Sequence, residues 1–164
     1  MILVGGVAEL YQGDLDLGRH AVMRLSAMDL GEDVQVEELS YGGVAVTQRL
    51  QDLQPDALLL VACHPRGRVP GSIERREVGP VVLTPEELQI AVGDAVVGYV
   101  TVDLLVEVAT ALGAMPPKVV SFEVEPAVVE PLDELSPAAL AALDQVVEAV
   151  RDEVAALRQP AADD

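Results

Sequence analysis

Ala57-Leu58-Leu59-Leu60-Val61-Ala62 is an uninterrupted apolar run that empties into Cys63-His64-Pro65-Arg66-Gly67-Arg68. Continuous apolarity over so short a stretch, with Pro55 stopping the segment before it, reads as a strand buried on both faces. Such a strand belongs inside a parallel sheet, and the flanking segments supply its neighbours. Met1 to Val7 is a second compact apolar run, with Gly5 and Gly6 near its end. Val34 to Leu39 reads as a third strand, Ser72 to Val78 as a charged and more exposed edge strand, and Val119 to Val124 as the last.

Between the strands lie helical patterns. Leu17, Ala21, Leu25 and Met28 fall on one helical stripe, and Gly42-Gly43 turns into a helix over Val44 to Leu53. Thr84-Pro85-Glu86-Glu87 combines a capping residue, a proline at the first helical position and a Glu three residues after the cap. Val100 to Leu112 is a further helix, ended by Gly113 and Pro116-Pro117. Ser136-Pro137 opens the final helix, whose apolar stripe runs through Leu140, Leu143, Val147, Val150, Val154 and Leu157. Strands alternating with helices predict a single-domain α/β three-layer sandwich. Its sheet is twisted and mostly parallel, with about five strands and helices on both faces. The domain spans residues 1–158, and 159–164 is expected to be a disordered acidic tail.

Composition narrows the function classes. The chain has 164 residues, a formal charge of −18, no Trp, and only Phe122, Tyr11, Tyr41 and Tyr99 as aromatics. It therefore lacks both the positive groove and the stacking platforms that nucleic acids require. No apolar run reaches bilayer-spanning length, and the N-terminus has no basic leader, so neither a membrane nor a secretory role is expected. The one cysteine, Cys63, permits no internal disulfide. A bacterial-type cytoplasmic protein is the simple expectation, with the oligomeric state left open.

Ligands of open parallel sheets bind beyond the carboxyl ends of the strands. Three loops are expected there: Gly5 to Asp16, Ser40 to Gly43, and Cys63 to Gly71. They carry the candidate cleft or partner-binding residues Glu9, Asp14, Asp16, Tyr41, Gly42, Gly43 and His64. Each also has a plainer reading: Asp14 as a turn or cap residue, Asp16 and Glu9 as solvated groups, His64 as a loop residue. Cys63 and His64 are adjacent in a strand-like segment and point to opposite sides, so they do not form a nucleophile–base pair.

Two stretches carry a resemblance. One is Gly6-Val7-Ala8-Glu9, continued by Asp14-Leu15-Asp16 and Gly18; the other is Glu123-Val124-Glu125-Pro126 followed by Glu134-Leu135-Ser136-Pro137. Together with Gly42-Gly43, their order and spacing resemble the hydrogenase maturation proteases, which trim the C-terminal tail of nickel–iron hydrogenase large subunits. The resemblance spans about Ile2 to Val154. It implies three positions that hold nickel-binding side chains in that family, and here they read Leu15, Ala62 and Gly98. None of the three can ligate a metal through its side chain, and no His follows His64.

The resemblance thus implies a degenerate relative. The expectation is a non-catalytic binding or assembly factor for a hydrogenase large subunit or another maturation factor, with no cofactor. The alternative is a working endopeptidase whose metal site is rebuilt from Glu9, Asp14, Asp16 or His64, in which case nickel is required.

Overall fold

The apolar run at residues 57–62 forms the middle strand of the sheet. The computed structural model describes residues 1–96 and 100–160. The elements in chain order are β1 (Ile2–Val7), α1 (Leu17–Ser26), β2 (Val34–Glu38), α2 (Gly43–Leu53), β3 (Ala57–Cys63), β4 (Ile73–Glu77), α3 (Pro85–Val96), α4 (Val102–Ala111), β5 (Lys118–Val124) and α5 (Pro137–Leu157). A short 3-10 turn, Gly13–Asp16, leads into α1. The sheet order is β2-β1-β3-β5-β4; the first four strands are parallel, and β4 pairs antiparallel with β5 at one edge. The α/β fold with a mostly parallel five-stranded sheet is therefore as the sequence predicts.

Alternation along the strands divides the core between two layers. Ile2, Val4, Leu59, Val61, Val120 and Phe122 face α1 and α5, while Leu3, Leu58, Leu60, Ala62 and Val119 face α2 and α4. Helix α3 packs on α2 and α4 from outside, burying Ala91 and Ala95 beside Leu104 and Val108. Each fully buried aliphatic side chain contributes about 1.5–3 kcal/mol, so this doubly covered sheet supplies the main drive for folding.

The start signals read from sequence are all made. Thr84 and Glu87 exchange bonds: the Glu87 amide donates to Thr84 Oγ1 at 3.2 Å and the Thr84 amide to Glu87 Oε2 at 2.8 Å. Ser136 Oγ accepts from the Ala139 amide, with Pro137 in the first turn. Helix α4 begins two residues later than its pattern suggests, because Thr101 takes the cap position and accepts from the Leu104 amide at 3.1 Å.

The stripe of α5 is corrected in one place. Leu140 is 44 % exposed, and Ala139, Ala142 and Val146 join Leu143, Val147, Val150 and Val154 against the sheet. The small alanines let the first turns of α5 approach the sheet closely, which turns Leu140 to the flank. The expected tail falls partly on residues 161–164, outside the described residues; α5 itself ends at Leu157.

Two glycines allow α1 to lie against the sheet backbone. A Cβ on Gly6 would sit 2.2 Å from Gly18 O, and one on Gly18 would sit 2.6 Å from Val7 O and 2.9 Å from Val61 O. The crossing of α1 over β1 and β3 is thus a backbone-to-backbone contact.

Candidate functional site

The chain leaves β1 through α1 on one face and returns to β3 through α2 on the other, so β1 and β3 flank the switch point of the sheet, where ligands of such folds bind. A cavity of about 90 Å³ lies there, lined by Val7, Ala8, Glu9, Leu15, Ala62, Cys63, His64, Pro65, Val100, Thr101 and Val102. Leu15 (8 % exposed) and Ala62 (4 %) form part of its wall. Glu9 and His64 are half-buried among its lining residues. Gly98 lies outside the described residues.

The remaining candidates are not in this cavity. Asp14 is completely buried and accepts four hydrogen bonds: from the amides of Ala127, Val128 and Ser136 at 2.8, 2.9 and 2.8 Å, and from Ser136 Oγ at 2.8 Å. Burial pushes its carboxyl pKa up, but the donors from Ser136, Val128 and Ala127 outweigh burial and hold it below the usual carboxylate value. Asp14 is therefore a clamp: it ties the turn before α1 to the segment leading into α5.

Asp16 corrects the expectation of a solvated carboxylate. It is completely buried and grips the Arg19 guanidinium, whose Nε donates at 3.0 and 2.9 Å and Nη2 at 2.5 Å. One turn of helix places Arg19 over it, and Arg19 Nη2 reaches on to Asp133 at 2.9 Å.

Tyr41 is exposed, beside α2 rather than in the cavity. Gly42 adopts φ +108°, a conformation that side chains disfavour, and its carbonyl accepts from the Val46 amide at 3.0 Å to start α2. Gly43 faces Ala95 of α3. These positions shape a turn.

A charged cluster beside the cavity was not read from the sequence. Glu123, 2 % exposed on β5, accepts from Arg66 Nε at 2.8 Å and Nη2 at 3.0 Å, and from Arg76 Nη2 at 3.4 Å. Both arginines also donate to Asp103 in the first turn of α4, at 3.0 and 3.3 Å. Burial raises the Asp103 pKa, but the two guanidiniums reverse this and leave it lowered. Glu125 accepts from the amides of Arg66 (3.2 and 2.9 Å) and Gly67 (3.1 Å), fixing the loop after β3.

A carboxylate at position 123 in an apolar strand was the available signal, since a buried charge demands a partner. The partner's identity depends on strand order, which the sequence did not state. Glu123→Ala is expected to cost about 2 kcal/mol, because two partly buried guanidiniums lose their shared acceptor; urea denaturation checks this.

Cys63 is buried at the end of β3, and burial, with Asp14, Glu125 and Glu123 nearby, pushes its thiol pKa far up. It is therefore a poor nucleophile.

Among the described residues, no three His, Cys, Asp or Glu side chains converge to hold a metal ion. A nickel site of the kind the resemblance implies does not fit the wall at Leu15 and Ala62: hydrocarbon stands where carboxylate donors are needed.

The three-dimensional likeness is specific. Over 93 % of this chain and 97 % of the other, it superposes on the hydrogenase 2 maturation peptidase of a Thaumarchaeota archaeon, with TM-score 0.65 and 22 % identity. The chain has the hydrogenase maturation protease fold. The hydrogenase-maturating endopeptidase HybD of E. coli matches over 93 % of both chains (TM-score 0.63, 22 % identity). The maturation protease HycI of Thermococcus kodakarensis matches 94 % of this chain and 92 % of its own (TM-score 0.61, 15 % identity). By sequence, no family profile and no curated protein matches. Within the maturation protease fold, the two stretches that carry the resemblance are bolted together by Asp14 and Ser136.

Proposed function

We propose that this chain is a degenerate member of the hydrogenase maturation protease family. It acts as a non-catalytic binding or assembly factor for a hydrogenase large subunit or a related maturation factor in the cytoplasm of a bacterium. The observation that carries the reading is the wall of the switch-point cavity, which Leu15 and Ala62 both line with hydrocarbon. A maturation protease frame around a small cavity without three converging donors among the described residues favours binding a partner over hydrolysing one. Among the described residues no helix is long and apolar enough to cross a membrane. The test is incubation with a nickel-loaded large-subunit precursor followed by intact-mass measurement. The precursor is expected to keep its full mass; release of the C-terminal peptide defeats the reading.

One observation favours a second reading, an endopeptidase with a rebuilt metal site: Glu9 and His64 both line the cavity. Asp14 and Asp16 weaken it, since internal donors already engage both carboxylates. If it holds, Glu9→Gln and His64→Ala each lower nickel affinity in calorimetric titration and stop processing of the precursor. No change in either variant sinks it.

A further inference from the structure

On the far side of α1 from the sheet, the helix meets the entry of α5 and leaves a groove of about 420 Å³. Met23, Leu135 and Leu140 line it with apolar surface, together with Asp133, Glu134, Arg19 and His20. Met23 is 61 % and Leu140 44 % exposed, and Leu132, beside Asp133 in the chain, is 46 % exposed. Tyr11, 55 % exposed, extends the patch: its ring lies 4.7 Å from the Arg19 guanidinium, which itself lines the groove. Tyr11 is held at φ +61°, an uncommon conformation for an aromatic residue. Exposed tyrosine and methionine on an apolar patch are the side chains that anchor protein interfaces.

Charge decides what fits. Arg19 is neutralised by Asp16 and Asp133. Across the described residues each of the ten Lys and Arg side chains stands in an ion pair. Glu134 pairs with no cation among the described residues, and the molecule carries a net −18. A cationic segment therefore meets uncompensated negative charge here, and an acidic one is repelled.

We infer that the groove lined by Met23, Leu135 and Leu140 with Asp133 and Glu134, and flanked by Tyr11 beside Arg19, is a docking surface for a basic amphipathic polypeptide segment, one that alternates aliphatic side chains with Lys or Arg. The inference rests on the reading of the chain as a protein-binding factor and adds the face and the chemistry of the partner.

The probe is a synthetic leucine–lysine amphipathic peptide, titrated into the isotope-labelled full chain and followed by amide NMR, with a leucine–glutamate peptide as control. Shifts are expected to centre on residues 19–23 and 132–140, with no response to the acidic peptide. Met23→Glu combined with Leu140→Glu lowers affinity about tenfold or more, since it removes two apolar contacts. Ile90→Glu, 58 % exposed on α3, leaves affinity unchanged.

Tyr11→Gly, which suits the positive φ, weakens binding without disturbing the fold and keeps the test independent of the double variant. Absence of binding, shifts spread over the whole acidic surface, or undiminished affinity in the groove variants overturns the docking surface. The precursor-mass assay separately decides whether the chain cleaves a precursor, so failure of the docking surface and failure of the non-catalytic reading are distinguishable.

Discussion

Asp14→Ala is expected to lower the unfolding free energy by about 3 kcal/mol at pH 7, read by urea denaturation of the variant against the parent chain. The carboxylate is the shared acceptor for three backbone amides and one hydroxyl. Hydrogen bonds to a charged group contribute about 1.5–3 kcal/mol each, and donors left without an acceptor add their own desolvation cost. Partial exposure of Ala127 and Val128 lets water recover some of this. The loss also reaches α5, because Ser136 Oγ donates to Asp14 while accepting from the Ala139 amide.

The pH dependence has a definite sign. The folded-state pKa of Asp14 is lowered, so its stabilisation is complete above the ordinary carboxylate pKa and fades as pH falls through the depressed folded value. The gap between parent and Asp14→Ala should therefore stay constant from neutral pH down to about 5 and close in stronger acid. A gap that widens on acidification contradicts the clamp.

The second large effect is expected at Gly18. A Cβ there meets Val7 O at 2.6 Å, Val7 N at 2.8 Å and Val61 O at 2.9 Å, all backbone atoms of paired strands. None can rotate away, so Gly18→Ala must push α1 off the sheet and loosen Leu17, Ala21 and Leu25, which are fully buried. Overpacking of a core typically costs about 1–3 kcal/mol, and rigid neighbours place this case at about 3 kcal/mol. A shift in the melting temperature measures it. Gly93, which has open space around its position for a Cβ, is the control: Gly93→Ala on α3 should be neutral or slightly stabilising.

What could be read in advance follows from which forces are local. The run at 57–62 declared a central strand because burial on both faces leaves no polar position. Thr84, Glu87, Ser136 and Pro137 declared helix starts because capping is settled within a few residues. Asp14 and Asp16 were not readable in this way. Their acceptors are satisfied by Ser136 and Val128, more than a hundred residues away, and by an arginine one turn on. A loop aspartate with distant donors looks the same in sequence as a solvated one. The Arg66–Glu123–Asp103–Arg76 cluster was missed for a related reason: its members come from a loop, two strands and a helix that meet only after β5 inserts between β3 and β4. At the cavity, Leu15 and Ala62 both line the wall, Gly98 lies outside the described residues, and the placement of Glu9 and His64 in the same lining needed the fold.

The single thiol, Cys63 at the end of β3, gives the molecule its own clock. Cys63 is 6 % exposed and burial pushes its thiol pKa up, so reaction with a bulky aromatic disulfide reagent is expected to wait for local opening at the end of β3. In a protein without tryptophan, the rate of that single reaction at neutral pH reports how often the end of the central strand opens, and ranks the Asp14 and Gly18 variants under conditions where the chain remains folded.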